Sequence, residues 1–280
     1  MAAGRSTRFG SPKQFTEVGP NAELLLDLEI LFGSKVGVND VLVVSNDLLM
    51  SKISTHINNR FQDISSIVCN QDTFVRNQRR FTTMELYGTG IAIMSAKQFV
   101  EDNCILVNGD DYYSPNLYAG IVPMFESFPK IAGFLAGFKL KDTLSANGPV
   151  NRAVCTVDSN NNLLEIVETS YLYRADIGEI KDKSGKIYSG EEYVSMNFWG
   201  FKKVFLKFVE DEFESYKLQS EFWKNKEFNV PDIVRNYIKV FPSSIKLFHV
   251  PDAFWAGLTF PDDLETTRDF IKLAKENGDF

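Results

Sequence analysis

Leu24, Leu25, Leu28 and Leu31 recur at the three- and four-residue spacing of one helical face, with Pro20-Asn21 ahead of them as a start signal. That spacing predicts a helix over 23–31. Val41-Leu42-Val43-Val44 is a short apolar run between Asn39-Asp40 and Asn46-Asp47, the pattern of a strand buried on both faces. A helix over 48–61 and a strand over 65–69 follow. Asn70 to Arg80 is polar, carries Arg76, Arg79 and Arg80, and reads as a solvated loop. An apolar helical stretch opens at Tyr87-Gly88-Thr89-Gly90 and runs to Val100; the strand Cys104-Ile105-Leu106-Val107 then ends abruptly in Asn108-Gly109-Asp110-Asp111. Strand alternating with helix predicts a parallel sheet covered by helices.

Beyond about Tyr118 the pattern changes. Residues 131–140 and 150–158 are strand-like, and Asn160-Asn161-Asn162 makes a turn before Leu163 to Glu168, which predicts antiparallel pairing. Helices are predicted over 202–218, 231–240 and 262–275, and a strand over 245–250. No repeat or low-complexity linker interrupts the chain, and 280 residues at 44% hydrophobic and 24% charged suit one domain with an elaborated edge.

Charge changes this picture in one respect. With 30 basic and 37 acidic residues the net charge is −7, which argues against nucleic acid or an anionic membrane as the main partner. Phosphate affinity must then be local. Cys69, Cys104 and Cys155 are odd in number, widely spaced and set in apolar runs, as thiols of a reducing compartment are. No window reaches transmembrane length and no signal-peptide h-region opens the chain; a cytoplasmic protein is expected. His56 and His249 have no His, Cys or paired carboxylate at ligand spacing and read as structural.

Two stretches carry candidate chemistry. At the start, Met1-Ala2-Ala3-Gly4-Arg5-Ser6-Thr7-Arg8-Phe9-Gly10-Ser11-Pro12-Lys13 combines small residues, which let backbone amides approach an anion, with the cations Arg8 and Lys13. The combination suits a nucleoside triphosphate, although an ordinary basic Gly-rich turn has the same pattern. It is neither a Walker A loop nor a dinucleotide fingerprint. The second stretch is the strand that ends at Asp110. It delivers a carboxylate to the carboxyl edge of a parallel sheet, where open α/β sheets bind ligands and a hard divalent cation would find oxygen ligands. Read alone, a strand followed by an Asx turn looks the same.

Together and in this order the two stretches resemble the sugar-1-phosphate nucleotidyltransferases (nucleoside-diphosphate-sugar pyrophosphorylases). The signature loop of that family is matched by Ala2, Ala3, Gly4, Thr7, Arg8 and Lys13, with Ser6 where the family has its second Gly. Gly88-Thr89 matches a Gly-Thr turn whose backbone approaches the nucleotide base, and Thr83 stands where relatives often carry a base-reading Gln. Asn108-Gly109-Asp110-Asp111-Tyr112-Tyr113 matches a branch in which the first Asp holds the metal. In the second half, Val150-Asn151-Arg152, Glu168 and Asn197 match the sugar-phosphate pocket. Thr169 replaces a frequent Lys, and Gly257, beside Trp255, replaces a frequent second metal carboxylate.

The resemblance implies a Rossmann-like α/β fold with a mixed, mostly parallel sheet and a smaller antiparallel sugar-binding part. Residues 1–126 would be the nucleotide half and 127–280 the sugar-phosphate half of a single domain. The signature loop of the family follows a central aliphatic strand, and here the loop opens at Met1, so a first central strand is expected upstream of Met1. The implied reaction joins an NTP and a sugar 1-phosphate with Mg²⁺ as cofactor. Arg8 and Lys13 would be catalytic, Ala2, Ala3, Gly4, Ser6, Thr7, Gly88 and Thr89 would bind nucleotide, Asn151, Glu168 and Asn197 would bind the sugar phosphate, and Asp110 would hold the metal. No nucleic acid or membrane partner is implied, and a homo-oligomer is allowed. Two alternatives fit the same residues: cytidylyl transfer to a phospho-alcohol such as phosphocholine, and a non-catalytic sugar-nucleotide-binding protein.

Overall fold

The computed structural model describes residues 1–4, 13–78, 87–175, 178–218, 227–258, 261–276 and 278. Helix α1 (Leu25–Lys35) leads into β1 (Asp40–Ser45), and α2 (Met50–Arg60) crosses over to β2 (Ser65–Asn70), which pairs with β1 in parallel. Then come α3 (Gln71–Asn77), α4 (Thr89–Ala96), β3 (Cys104–Leu106) and β4 (Asp111–Tyr113). Next, α5 (Pro115–Ile121) and α6 (Met124–Ser127) bring the chain to β5 (Gly133–Lys139). Strands β6 (Val150–Val157), β7 (Leu163–Arg174), β8 (Ile180–Lys181), β9 (Ile187–Tyr188) and β10 (Tyr193–Phe201) form the antiparallel part. The chain closes with α7 (Lys203–Leu218), α8 (Val230–Val240), β11 (Ile245–Phe248), β12 (Trp255–Gly257) and α9 (Asp263–Glu276).

The large sheet has the order β11-β5-β10-β6-β7-β8-β9, with β3 also on β10. Both β3 and β5 run antiparallel to β10, and β11 runs parallel to β5. Those three strands therefore share one direction and β10 is reversed, which is the mixed sheet expected. The Asn160–Asn162 turn joins β6 and β7 as an antiparallel pair, with Asn161 at φ +60°. Strand β10 changes partner along its length. Its first part, Tyr193–Ser195, lies beside β6, and its last part, Trp199–Phe201, beside β3. A crevice therefore opens at residues 196–198, the kind of place where α/β sheets bind ligands.

Met1 to Ala3 lies between the two sheet parts. The Met1 ammonium donates to Val107 O and Gly109 N donates to Met1 O, each at 2.7 Å, while on the other side Ala2 N donates to Val44 O at 2.7 Å. Bonding to residues two apart on one neighbour is the parallel-ladder pattern. Among the described residues no ladder bond joins β1 to β3 directly, so only this short segment links them, where the sequence leads one to expect a full strand. Burial lowers the pKa of the Met1 ammonium, and the charges of Asp110, Glu29 and Asp111 oppose that shift.

Hydrophobic layers cover both faces of β5, which explains its unbroken apolar sequence. Phe134, Ala136 and Phe138 pack with Leu28 and Phe32 of α1 and Ile271 of α9, and Leu135 packs on the opposite face with Phe205 and Val209 of α7 and Val234 of α8. One prediction fails at the edge. The polar stretch after Asn70 begins with α3, not a loop, because Asn70 Oδ1 caps it by accepting from Thr73 N at 3.0 Å and Val75 is buried beneath it. Polar composition hid a capped helix; Arg79 and Arg80 lie outside the described residues. His56 is structural as expected, its Nε2 lying 2.7 Å from Oδ1 of the buried Asp27.

Glu29, buried on α1, accepts from the Tyr118 hydroxyl and, at 3.3 Å, from Tyr113 N. Burial raises its pKa well above the ordinary value, although those two hydrogen bonds favour the charged form. Below the unfolded value of 4.5 the group is neutral in both states and costs nothing. As pH rises above it, the unfolded chain ionises first and stability falls by up to about 1.4 kcal/mol per pH unit, until the folded carboxyl also ionises. Glu29→Gln copies the protonated shape. Its urea midpoint should gain on the wild type as pH goes from about 5 to about 8; an unchanged difference would place the pH dependence elsewhere.

Candidate active site

Lys13 and Asp110, far apart in sequence, meet at the carboxyl edge of the sheet. Lys13 Nζ lies 2.7 Å from Asp110 Oδ2 and donates to Leu258 O at 3.0 Å, which ties the opening loop to the end of β12. Gly4 stands next to this pair: a Cβ there would lie 3.8 Å from Asp110 Oδ2 and 3.6 Å from Gln14 Nε2. The loop is fastened by two amides that sequence reasoning did not single out. Gln14 Nε2 donates to Gly4 O at 2.8 Å, and the buried Asn46 at the end of β1 donates to Ala3 O at 3.0 Å. In the sequence Asn46 is only a strand flank. Ala2 and Ala3 are buried, Ala3 against Ala92 and Ala96 of α4.

Asp111 turns inward. Asn108 Nδ2 donates to its Oδ2 at 2.8 Å, and the Tyr113 hydroxyl lies 3.3 Å from the same oxygen while donating to Met196 O at 2.6 Å. Burial and the neighbouring Asp110 charge push Asp111 up to about 6, against the opposing pull of Lys13 and Asn108. On β12, Gly257 is the direct cross-strand partner of Asp111.

Through Met196 the Tyr113 hydroxyl reaches the crevice in β10, and the next residue is Asn197. It has φ +62° and an irregular register against β5 between Ser195 and Trp199. A non-glycine residue in the left-handed region costs about 1 kcal/mol or more and is concentrated at functional sites. The other acceptor candidates lie on β6 and β7. Asn151 is exposed, and its Oδ1 accepts from Tyr171 N at 3.0 Å. Glu168 is exposed on β7 opposite Ala153, one residue from Thr169, which pairs with Arg152. Arg152 itself is buried. Its guanidinium donates to Thr143 O and to Asn151 O and lies 5.1 Å from the Trp255 ring centroid. The register shift between Val150 and Arg152 upsets simple alternation, so the sequence does not show that the arginine is the inward side chain. A cavity of about 240 Å³ beside Arg152, Trp255 and Gly257 is also lined by Ser145, Asn147 and Asp263.

Gly88 and Thr89 form the start of α4. Gly88 has φ +78°, and a Cβ on it would come within 2.7 Å of Phe228 O. Thr89 N donates to Asn229 Oδ1 at 3.1 Å, and Gly90 N to Phe228 O at 2.7 Å. Two amides of this turn are thus committed to the segment before α8. Arg8, Ser6, Thr7 and Thr83 lie outside the described residues.

The donor set around Asp110 fits a hard divalent cation. The Asp110 carboxylate at the sheet edge is an oxygen ligand of the kind such a cation takes, and Gly4, with no side chain, lets the loop backbone come close to it. Among the described residues no group of three or more His, Cys, Asp or Glu side chains is placed to hold a metal ion.

The whole architecture recurs in solved structures. The inositol-1-phosphate CTP transferase from T. maritima superposes with a TM-score of 0.67 at 15% identity, over 98% of this chain and 94% of that one. A putative glucose-1-phosphate thymidylyltransferase from Bacillus anthracis, in complex with a sucrose, gives 0.66 at 12% identity over 97% and 93%. HddC from Yersinia pseudotuberculosis gives 0.57 at 17% identity over 96% of each chain. No protein-family model matches the sequence, and no curated protein matches it. Near-complete coverage at such low identity shows a shared fold, and that fold is the one found in sugar-phosphate nucleotidyltransferases.

Proposed function

We propose that this protein is an enzyme that transfers a nucleoside monophosphate from an NTP to a sugar 1-phosphate, giving an NDP-sugar and pyrophosphate. The observation that carries this reading is the Lys13–Asp110 contact of 2.7 Å beside Gly4. It joins a cation, a carboxylate and a small-residue backbone at one point of the sheet edge. The acceptor phosphate already has a nucleophilic oxygen, so no protein nucleophile is needed. Catalysis then reduces to aligning two anions and neutralising charge as it builds on the leaving pyrophosphate.

In this reading residues 1–126 hold the nucleotide and 127–280 the acceptor. The Ala2–Gly4 backbone and Ser6 and Thr7 line the triphosphate, Arg8 takes the β- and γ-phosphates, and Gly88-Thr89 lies towards the base. Lys13 exchanges its contact with Asp110 for the α-phosphate, where negative charge grows during transfer. Asp110 would hold Mg²⁺, which when bound offsets the charge of both phosphates. Asn197 in the β10 crevice, Glu168 and Asn151 would meet the acceptor, their amide and carboxylate groups being suited to hydroxyls. Arg152, backed by Trp255, would supply the positive charge that Thr169 lacks.

A second reading, cytidylyl transfer to another phospho-alcohol, draws support from the fold shared with an inositol-1-phosphate CTP transferase. One experiment tests both: pyrophosphate release measured for four NTPs against a panel of sugar 1-phosphates, inositol 1-phosphate and phosphocholine, with Mg²⁺. Release with one sugar 1-phosphate supports the first reading, and release only with a non-sugar phosphate supports the second. Binding of an NDP-sugar with no turnover for any pair would leave a non-catalytic binding protein.

A further inference from the structure

We propose that Asn229 is a positioning residue for the nucleotide: through a pair of exchanged helix caps it fixes the Gly88-Thr89 turn from α8, and so sets how well that turn receives an NTP. The proposal rests on the reading of Gly88-Thr89 as part of the nucleotide site. Asn229 stands at the N-cap of α8, where an asparagine ordinarily accepts from the second or third amide of its own helix. It makes no such bond. The second position is Pro231, which has no N–H to give, and Asn229 Oδ1 instead accepts from Thr89 N, the first amide of α4, at 3.1 Å. Helix α4 needs a cap from outside, because its own N-cap is Gly88, which has no side chain. Thr89 returns the contact: its Oγ1 accepts from Val230 N, the first amide of α8, at 2.9 Å. Each helix is thus capped by the other.

The contact is made against the turn itself. A Cβ on Gly88 would lie 2.7 Å from Asn229 Oδ1, and one on Gly90 would lie 2.7 Å from Phe228 O, so the closeness of this segment leaves no room for a side chain at either position. Gly90 N donates to Phe228 O at 2.7 Å and Phe228 N to Tyr87 O at 3.2 Å, which ties the chain down on both sides of Gly88. The same segment reaches the residues read as the acceptor side. Asn229 Nδ2 donates to Glu227 at 2.9 Å, and the charges of Asp232 and Glu227 act on Glu168. Ile233 and Val234 of α8 pack with Ala153 of β6 and Ile166 of β7. A cap serving only α8 would look to the amides of α8. Exchanging the caps makes the shape of the turn depend on where α8 sits, and a turn already held in one shape binds a nucleotide without first having to be ordered.

Calorimetric titration of the full chain with ATP, CTP, GTP, UTP and dTTP, each with Mg²⁺ and without an acceptor, identifies the nucleotide that binds. Asn229→Ala should weaken that binding by about fivefold or more at a temperature well below its melting point. Thr89→Val, which removes the other cap, should weaken it too, and the double variant should lose little more than either single one. A cap that matters to stability alone lowers the melting temperature and leaves the affinity of the folded protein unchanged; that result overturns the proposal and leaves the transferase reading standing. Fully additive losses overturn it as well, because Asn229 would then act on the nucleotide without the turn. If the wild type binds none of these nucleotides, the nucleotide reading of the turn fails and takes the proposal with it. Should Asn229→Ala not fold, amide exchange on the unaltered protein decides the matter. The bound nucleotide should slow exchange at Thr89 and Gly90 and also at Val230 in the first turn of α8; slowing at the α4 turn with no change at Val230 overturns the proposal.

Discussion

Asp110→Asn is expected to lower turnover by on the order of a hundredfold or more at saturating nucleotide and Mg²⁺, with folding little changed. Asparagine keeps the size and one acceptor oxygen but removes the charge that attracts the cation. It also weakens the contact with Lys13, which retains its bond to Leu258 O. Steady-state kinetics with a melting curve checks both halves of the expectation. Near-normal turnover in the Asn variant would remove Asp110 from the reaction.

Lys13→Met should reduce kcat by about a hundredfold while changing the apparent affinity for NTP much less. The charge it answers builds at the α-phosphate during transfer and is smaller in the bound ground state. Arg8→Met should do the reverse and mainly raise the KM for NTP, because Arg8 is assigned to phosphates that are charged throughout. The structure adds a discriminating expectation for Lys13. It competes for the same Asp110 oxygen as a cation would, so Lys13→Met should bind Mn²⁺ at least as tightly as the wild type. Equal losses of affinity and rate in both variants would mean that the two cations do not divide the work in this way.

Lys13 and Asp110, singled out in two distant stretches of the sequence, lie 2.7 Å apart in the structure. Their legibility has a physical basis. A small-residue loop and a strand that stops at a carboxylate have few other uses in combination, and their local geometry depends little on distant packing. The layers were legible for a similar reason: β5 has no polar face because helices cover it on both sides.

What escaped depends on contacts between strands. The absence of a carboxylate at 257 was plain in the sequence, but that 257 lies opposite 111 follows from the β4–β12 register, which no local pattern encodes. The inward arginine at 152 was hidden by a bulge, which breaks the two-residue alternation on which a face assignment relies. The β10 crevice at Asn197 arises from a change of neighbour, and a single strand carries no signal for it. Helix α3 was hidden by composition, although Asn70 followed by Asp72 is a cap and an acidic first turn.

The central claim is direct transfer between two bound phosphates, and isotope exchange tests it most directly. Labelled pyrophosphate is incubated with the enzyme, Mg²⁺ and the NTP identified by the release screen, with and without the matching NDP-sugar. The account predicts label appearing in NTP only when the NDP-sugar is present, since no nucleotidyl group is ever carried on the protein. Exchange with NTP alone would reveal a nucleotidyl-enzyme and contradict the account, as would the absence of exchange under both conditions.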